Sequence, residues 1–278
     1  MSTPSSRWVS RYLALLRVEH AAPGVEALAR LIRAHVQTVP FENATSLLRR
    51  RAAGTGPVPA LDPEALLASW EARSGGGVCF EHSELFGRLL GALGYLVTPI
   101  AGEISFPGSH QALLADVAGK RWLVDVGNGA PFLEPIPLDR PFEIRRAGLG
   151  YRFHAAPADA GVWVQERALE AGWKPYCRYL LRPQSQADRE LAYQRHHRAR
   201  ETWVTSAIVL IRSREGEVLA FRDGERTLYR PEGKVTERVE DPAGWARLPG
   251  LLGLPALPLP AAARAWAAIN GRALPPGA

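Results

Sequence analysis

The sequence predicts an α+β chain in three consecutive blocks: helices, then strands, then a small mixed unit. Three observations carry this. Up to residue 95 apolar residues recur at helical spacing. From 96 to 202 they fall in short runs bounded by glycine and proline. After 203 a strand meander is followed by two short helical pieces. At 278 residues the chain suits two or three packed subdomains, here 1–95, 96–202 and 203–278.

The elements follow in order. Trp8, Tyr12, Leu15 and Leu16 share one helical face, as do Val25, Leu28, Leu31 and Ile32. Asp62-Pro63 reads as a helix start, a capping carboxylate followed by proline. A further helix begins near Cys79, with His82, Leu85, Phe86, Leu89, Leu90 and Leu93 as its stripe and Gly94 at its end. TPIAGEI, HQALLADV and RWLVDV are strands, the last two joined by a turn at Gly119-Lys120. FEIRRAG, YRFHA, VWVQERA and CRYLLR continue the β block. WVTSAIVLIR, GEVLAFR and RTLYR form a meander whose second turn is Asp223-Gly224, a strong hairpin signal. Helical pieces near 242–252 and 259–270 follow.

Composition narrows the classes. Apolar residues make up 46% and charged residues 22%, as in a soluble globular protein. Two cysteines make neither a disulfide framework nor a zinc site, so free thiols in a cytoplasmic protein without a metal are expected. No signal peptide or membrane span is expected. The most apolar run, 251–269, is interrupted by Pro255, Pro258, Pro260 and Arg264. The net charge of +6 is scattered, dense only at Arg49–Arg51 and 195–200, which reads as a solvated basic face rather than a nucleic-acid surface. It would equally attract a polyanionic small molecule.

RSGGGVCFEH, residues 73–82, holds the main chemical candidate. A thiol at a helix start faces unpaired N–H groups and the positive end of the helix dipole, which favour thiolate. The glycines allow close backbone approach. The other reading places Cys79 on the buried stripe, seven residues before Phe86. A thiolate needs a base, and the base an orienter. His110 opens a strand in PGSHQALLADV, and Asp125 is a lone carboxylate among apolar neighbours in LVDVGNG. Asp125 could instead satisfy turn amides at Gly127 or Gly129. A Gly119-Lys120 turn puts His110 opposite Gly129, on the same face as Asp125 but about 13 Å away. A bend, a bulge or a folded-back loop would be needed to join them.

Other motifs read as structural. Cys79-x-x-His82 has no second half of a metal site, and His82 is a packed core histidine. His196-His197 reads as a solvated basic turn and Cys177 as a structural thiol. SGGG lacks the Lys-Ser/Thr of a P-loop.

GGVCFEH, GSHQALLADV and WLVDVGNG, in that order and after HVQTVPFENA, resemble the arylamine N-acetyltransferases. The likeness is strong from about 35 to 138 and looser elsewhere. It implies a helical bundle, a central antiparallel β-barrel and a small α/β lid, with a cysteine-protease-like Cys79–His110–Asp125 triad. It implies ping-pong transfer from acetyl-CoA, a co-substrate rather than a bound cofactor, through an acyl-cysteine to an arylamine, arylhydroxylamine or hydrazine. The amides of Cys79 and Phe80 become oxyanion-hole candidates. Phe41, Phe80, Asn128 and Gly129 become substrate-binding candidates, with Glu42 and Asn43 as structural hydrogen-bonders.

The sequence departs from the family pattern at Gly75, where arginine is usual, at Val78, at Ser83, and at Asn128, where an aromatic is usual. These leave the triad intact and bear on the choice of amine or acyl group. Within the fold, an amide synthase releasing an acyl chain from a carrier protein is the alternative. A cysteine hydrolase and a non-catalytic binding protein are the readings outside it.

Overall fold

The structure is a computed structural model that describes residues 4–198 and 200–278. The first block contains α1 (Pro4–Leu16), α2 (Val25–Thr38), β1 (Phe41–Glu42), α3 (Ala44–Ala53), α4 (Pro63–Glu71) and α5 (Cys79–Ala92). Asp62 caps α4 by accepting from the Glu64 amide, with Pro63 at the first helical position. The predicted apolar stripes become one core. Tyr12, Leu28, Ile32, Trp70, Phe86 and Leu89 pack with Leu113, Val117 and Val124 of the second block. Burying each large side chain contributes about 1.5–3 kcal/mol. That packing holds α5 between the helices and the sheet.

The second block contains β2 (Leu96–Glu103), β3 (His110–Val117), β4 (Lys120–Val124), β5 (Ile136–Pro137), β6 (Phe142–Arg146), β7 (Leu149–Ala156), β8 (Asp159–Leu169) and β9 (Gly172–Pro183). They form one antiparallel sheet in the order β5-β4-β3-β2-β9-β8-β7-β6. Ile136 of β5 and Ile144 of β6 share one core with Phe132, Phe153 and Tyr179. The sheet therefore curls into a near-closed barrel, with its edge strands β5 and β6 not paired to each other among the described residues.

After α6 (Gln186–His196) and α7 (Trp203–Ser206), the third block has β10 (Val209–Ser213), β11 (Val218–Arg222), β12 (Glu225–Arg230), β13 (Gly233–Arg238), α8 (Pro242–Leu252) and α9 (Leu259–Asn270). Asp223 and Gly224, at φ 50° and 88°, form the predicted two-residue turn. Three features differ from the sequence reading. WVTSAIVLIR begins as α7 rather than as a strand. β13 lengthens the meander, and β1 joins it through Phe41↔Ile211 and Glu42↔Leu210. Ala44 and Leu47 of α3 sit in the core of α8 and α9. The first block thus supplies part of the third block's sheet and core.

Candidate active site

The loop before Cys79 is held from both sides. The Glu42 carboxylate accepts from the Gly76 amide at 3.0 Å, the Thr45 amide at 2.9 Å and the Thr45 hydroxyl at 2.7 Å. Trp70 Nε1 donates to the Gly76 carbonyl at 2.5 Å, and the Glu42 amide to the Gly77 carbonyl at 2.9 Å. A Cβ on Gly76 would lie 1.9 Å from the Pro40 carbonyl oxygen, so only glycine fits. At Gly75 a Cβ would meet Thr45 Cγ2 at 2.8 Å and Ser69 Oγ at 2.9 Å. The space an arginine would need is filled, and Glu42 is already partnered. Asn43 holds the lid by donating to the Val204 and Ala207 carbonyls and accepting from the Val209 amide.

Cys79 is the first residue of α5 and is buried. The first intrahelical bond runs from the His82 amide to the Val78 carbonyl, so the Cys79 and Phe80 amides precede the ladder. Glu81 reaches back to the Val78 amide at 3.0 Å, half of a capping box. Its carboxylate lies 2.5 Å from Arg49. Burial would raise the Glu81 carboxyl, but Arg49 turns it below its ordinary value.

His110, Asp125 and Cys79 come together. His110 Nε2 lies 2.8 Å from Asp125 Oδ2, and the Cys79 thiol is close enough to the ring to interact with it electrostatically. Burial alone would lower the His110 pKa; the Asp125 carboxylate and Cys79 overcome it and raise it well above the ordinary histidine value. The hairpin expectation needs one correction. The turn is Ala118-Gly119, with Val117 opposite Lys120, one residue earlier than predicted. Both turn residues have positive φ, 51° and 73°, as a type I′ hairpin demands. β4 then ends at Val124, and the chain turns back over Cys79. A Cβ on Gly127 would lie 2.6 Å from Cys79 Cα, which glycine alone permits. Leaving the sheet brings Asp125 to His110.

Asp125 Oδ2 also accepts from Tyr179 at 2.6 Å and from Asn128 Nδ2 at 3.0 Å. Asn128 and Tyr179 each also contact Gln165 Oε1, at 3.3 and 2.9 Å. All four side chains are buried. Sequence reasoning missed Gln165 and Tyr179. A lone glutamine inside the apolar VWVQ carried the same signal as the lone Asp125. Burial pushes the nearby Cys177 thiol up to about 12.

The remaining candidates border the site. Gly129, at φ 78°, has no room for a Cβ, which would meet Ile211 at 3.0 Å and the Phe41 ring at 3.3 Å. The Phe41 ring stacks on Trp203 with centroids 5.8 Å apart. Asn128 and Gly129 end a cleft of about 880 Å³ between barrel and lid, also lined by Tyr151, Arg167, Tyr229 and Lys234. Phe80 packs against Tyr193 and His196 at centroid distances of 5.5 and 5.2 Å. The solvated-turn reading of His196-His197 fails. Both rings are fully buried, because α6, unpredicted and capped by Ser185, folds its end onto Phe80. Among the described residues neither nitrogen of the His196 ring has a partner. Its pKa is lowered well below the ordinary value, first by burial, then by His197 and His110. Among the described residues no cluster of three or more metal-ligating side chains is present, and no helix is long and apolar enough to cross a membrane.

A family model described as N-acetyltransferase matches residues 24–244. Proansamycin X synthase of Amycolatopsis mediterranei is 28% identical over 172 residues, which span 59% of this chain and 64% of that protein, less than two thirds of its length. The arylamine N-acetyltransferase of Mycobacterium abscessus superposes with a TM-score of 0.81 at 25% identity, over 94% of each chain. That of Mycobacterium marinum, solved in complex with CoA, gives a TM-score of 0.79 at 22% identity, over 95% of this chain and 98% of that one.

Proposed function

The chain belongs to the arylamine N-acetyltransferase family, and from that premise we propose that it transfers an acyl group from a thioester to an amine through Cys79. The observation that carries the reading is His110, hydrogen-bonded to Asp125 at 2.8 Å and interacting electrostatically with the thiol at the start of α5. His110 holds the proton before the reaction begins, and the Cys79 sulfur attacks the thioester carbonyl carbon as the thiolate. The oxyanion meets the amides that open α5. The carbonyl–sulfur bond of the donor breaks, and the departing thiolate takes the proton from His110, leaving an acyl-cysteine. An amine nitrogen then attacks that carbonyl and loses its proton to His110. The Cys79–carbonyl bond breaks, and the amide leaves. Asp125 orients the ring and favours its protonated form.

Acetyl-CoA is the first donor to test, supported by the CoA complex of the Mycobacterium marinum fold neighbour. Amine acceptors follow from the family. A second reading, an amide synthase acting on a larger, carrier-bound acyl chain, is supported by the likeness to proansamycin X synthase and by the volume of the cleft beside Asn128, about 880 Å³.

The test is the intact mass after exposure to acetyl-CoA, longer acyl-CoAs and acyl carrier thioesters, with and without arylamines. One acyl group on wild type, none on Cys79→Ala, and its loss only when an amine is added, supports transfer. Loss to water alone would instead mark a hydrolase. Labelling by carrier thioesters but not by CoA thioesters would select the synthase reading.

A further inference from the structure

Tyr12, His35 and His82 form a buried hydrogen-bonded chain that ends on the loop before Cys79. Tyr12 Oη lies 2.8 Å from His35 Nδ1, His35 Nε2 lies 2.8 Å from His82 Nδ1, and His82 Nε2 lies 3.2 Å from the Gly77 carbonyl oxygen. All three side chains are at most 1% exposed. The triad uses none of them.

The direction of the chain follows from its end. A carbonyl only accepts, so His82 carries its proton on Nε2. Burial lowers the His82 pKa to about 4 and that of His35 well below the ordinary value, so both rings are neutral at pH 7. Nδ1 of His82 is then bare and accepts from His35 Nε2–H. Nδ1 of His35 is bare in turn and accepts the Tyr12 hydroxyl proton. The Gly77 carbonyl thus sets the tautomer of both rings, and the Tyr12 hydroxyl completes the chain as its terminal donor.

The end point matters because Gly77, at φ 129°, sits two residues before Cys79. Its carbonyl takes two donors, His82 Nε2 and the Glu42 amide, while the next amide, Val78, is held by Glu81. Turning the peptide between Gly77 and Val78 would reorient the start of α5 and the amides of Cys79 and Phe80.

We propose that Tyr12, His35 and His82 are positioning residues, a one-way tautomer lock that holds the Gly77 carbonyl and so keeps the opening of α5 aligned for Cys79. This rests on the reading of Cys79 as the nucleophile. Without the Tyr12 hydroxyl, His35 Nδ1 is a buried acceptor with no donor, and the two rings lose the hydrogen bond that anchors the outer end of the chain.

Imidazole ¹⁵N spectra of wild type should show both rings protonated at Nε2, and Tyr12→Phe should keep that form while shifting the signal of the His35 Nδ1, which loses its donor. In that variant kcat for acyl transfer and the rate of Cys79 alkylation by iodoacetamide should fall about tenfold, with KM for the thioester within about twofold, the pattern of a misplaced group. His82→Gln, whose amide can still donate to Gly77, should be slowed less than His82→Phe. Adding Tyr12→Phe to His82→Gln should have no further effect. Wild-type rings protonated at Nδ1, an unchanged alkylation rate in Tyr12→Phe, or equal slowing by Tyr12→Phe in the His82→Gln background would overturn the lock. If Tyr12→Phe does not fold, the contrast between His82→Phe and His82→Gln decides. Wild type that transfers no acyl group while tautomers and alkylation respond as expected would defeat the functional reading and leave the lock standing.

Discussion

Cys79 stands between two walls that use buried histidines in opposite ways. On the barrel wall His110 faces Asp125, and its pKa is raised well above the ordinary value. On the helical wall His82 faces the neutral ring of His35 and the Gly77 carbonyl, and its pKa falls to about 4. Both rings are almost fully buried, and burial pushes both downward. What stands beside the ring, rather than depth, decides its charge. The barrel wall supplies a site where a proton can rest. The helical wall supplies neutral donors and acceptors that set backbone direction.

The comparison is broken most severely by Asp125→Asn. Acyl transfer should fall about 10³–10⁴-fold, as when a triad carboxylate loses its charge, and the His110 pKa should drop toward that of the helical-wall rings. The pH dependence of stability checks the sign. A folded pKa above the unfolded one, about 6.5, gives a contribution complete below that pH and lost as pH rises through the folded value. Chemical denaturation across this range should show that decline in wild type and not in Asp125→Asn. A parallel pH profile would mean that Asp125 does not set the charge of His110.

Glu81→Gln attacks the helical wall instead. It leaves Arg49 beside a neutral amide, and because Arg49 keeps some solvent the loss should be about 3 kcal/mol, near the low end for a broken buried pair. Urea denaturation measures it. A loss below about 1 kcal/mol would show that this pair behaves as a surface one.

Asn128→Ala removes one of three donors to Asp125 Oδ2. We expect kcat to fall about tenfold, the equivalent of one hydrogen bond to a charged group, with the unfolding midpoint little changed. An unchanged kcat with an altered acceptor profile would place its role in the cleft alone. Gly75→Ala should have the smallest effect, about 1 kcal/mol, the low end for overpacking, because its Cβ meets the Thr45 methyl and the Ser69 hydroxyl rather than backbone. A much larger loss in a thermal melt would show that those groups cannot move.

Much of this was legible in the chain. The apolar stripes of α1, α2 and α5, the Asp62 cap and the Asp223-Gly224 turn read correctly because each depends on residues a few positions apart. Cys79, His110 and Asp125 stood out as types: a thiol after glycines, a histidine at a strand mouth, and an unpaired carboxylate in an apolar run. Their meeting did not, because it depends on β4 ending at Val124 and on Gly127 passing over Cys79. The Ala118-Gly119 turn was missed because alanine gives no signal for its positive φ. Charge misled the reading of His196-His197, whose basic neighbours hid rings that α6 buries.

By itself the sequence determined the order of helices and strands, the helix that starts at Cys79 and the glycines that let other chain segments approach it, since these follow from short-range sterics and periodicity. Only the tertiary structure decided what stands beside each buried polar group: Asp125 beside His110, Gln165 and Tyr179 behind Asp125, Tyr12 at the far end of the His35–His82 chain, and β1 in the lid's sheet. A buried polar atom must find a partner, but the partner can come from any segment that packing brings within about 3 Å. That choice belongs to the whole fold.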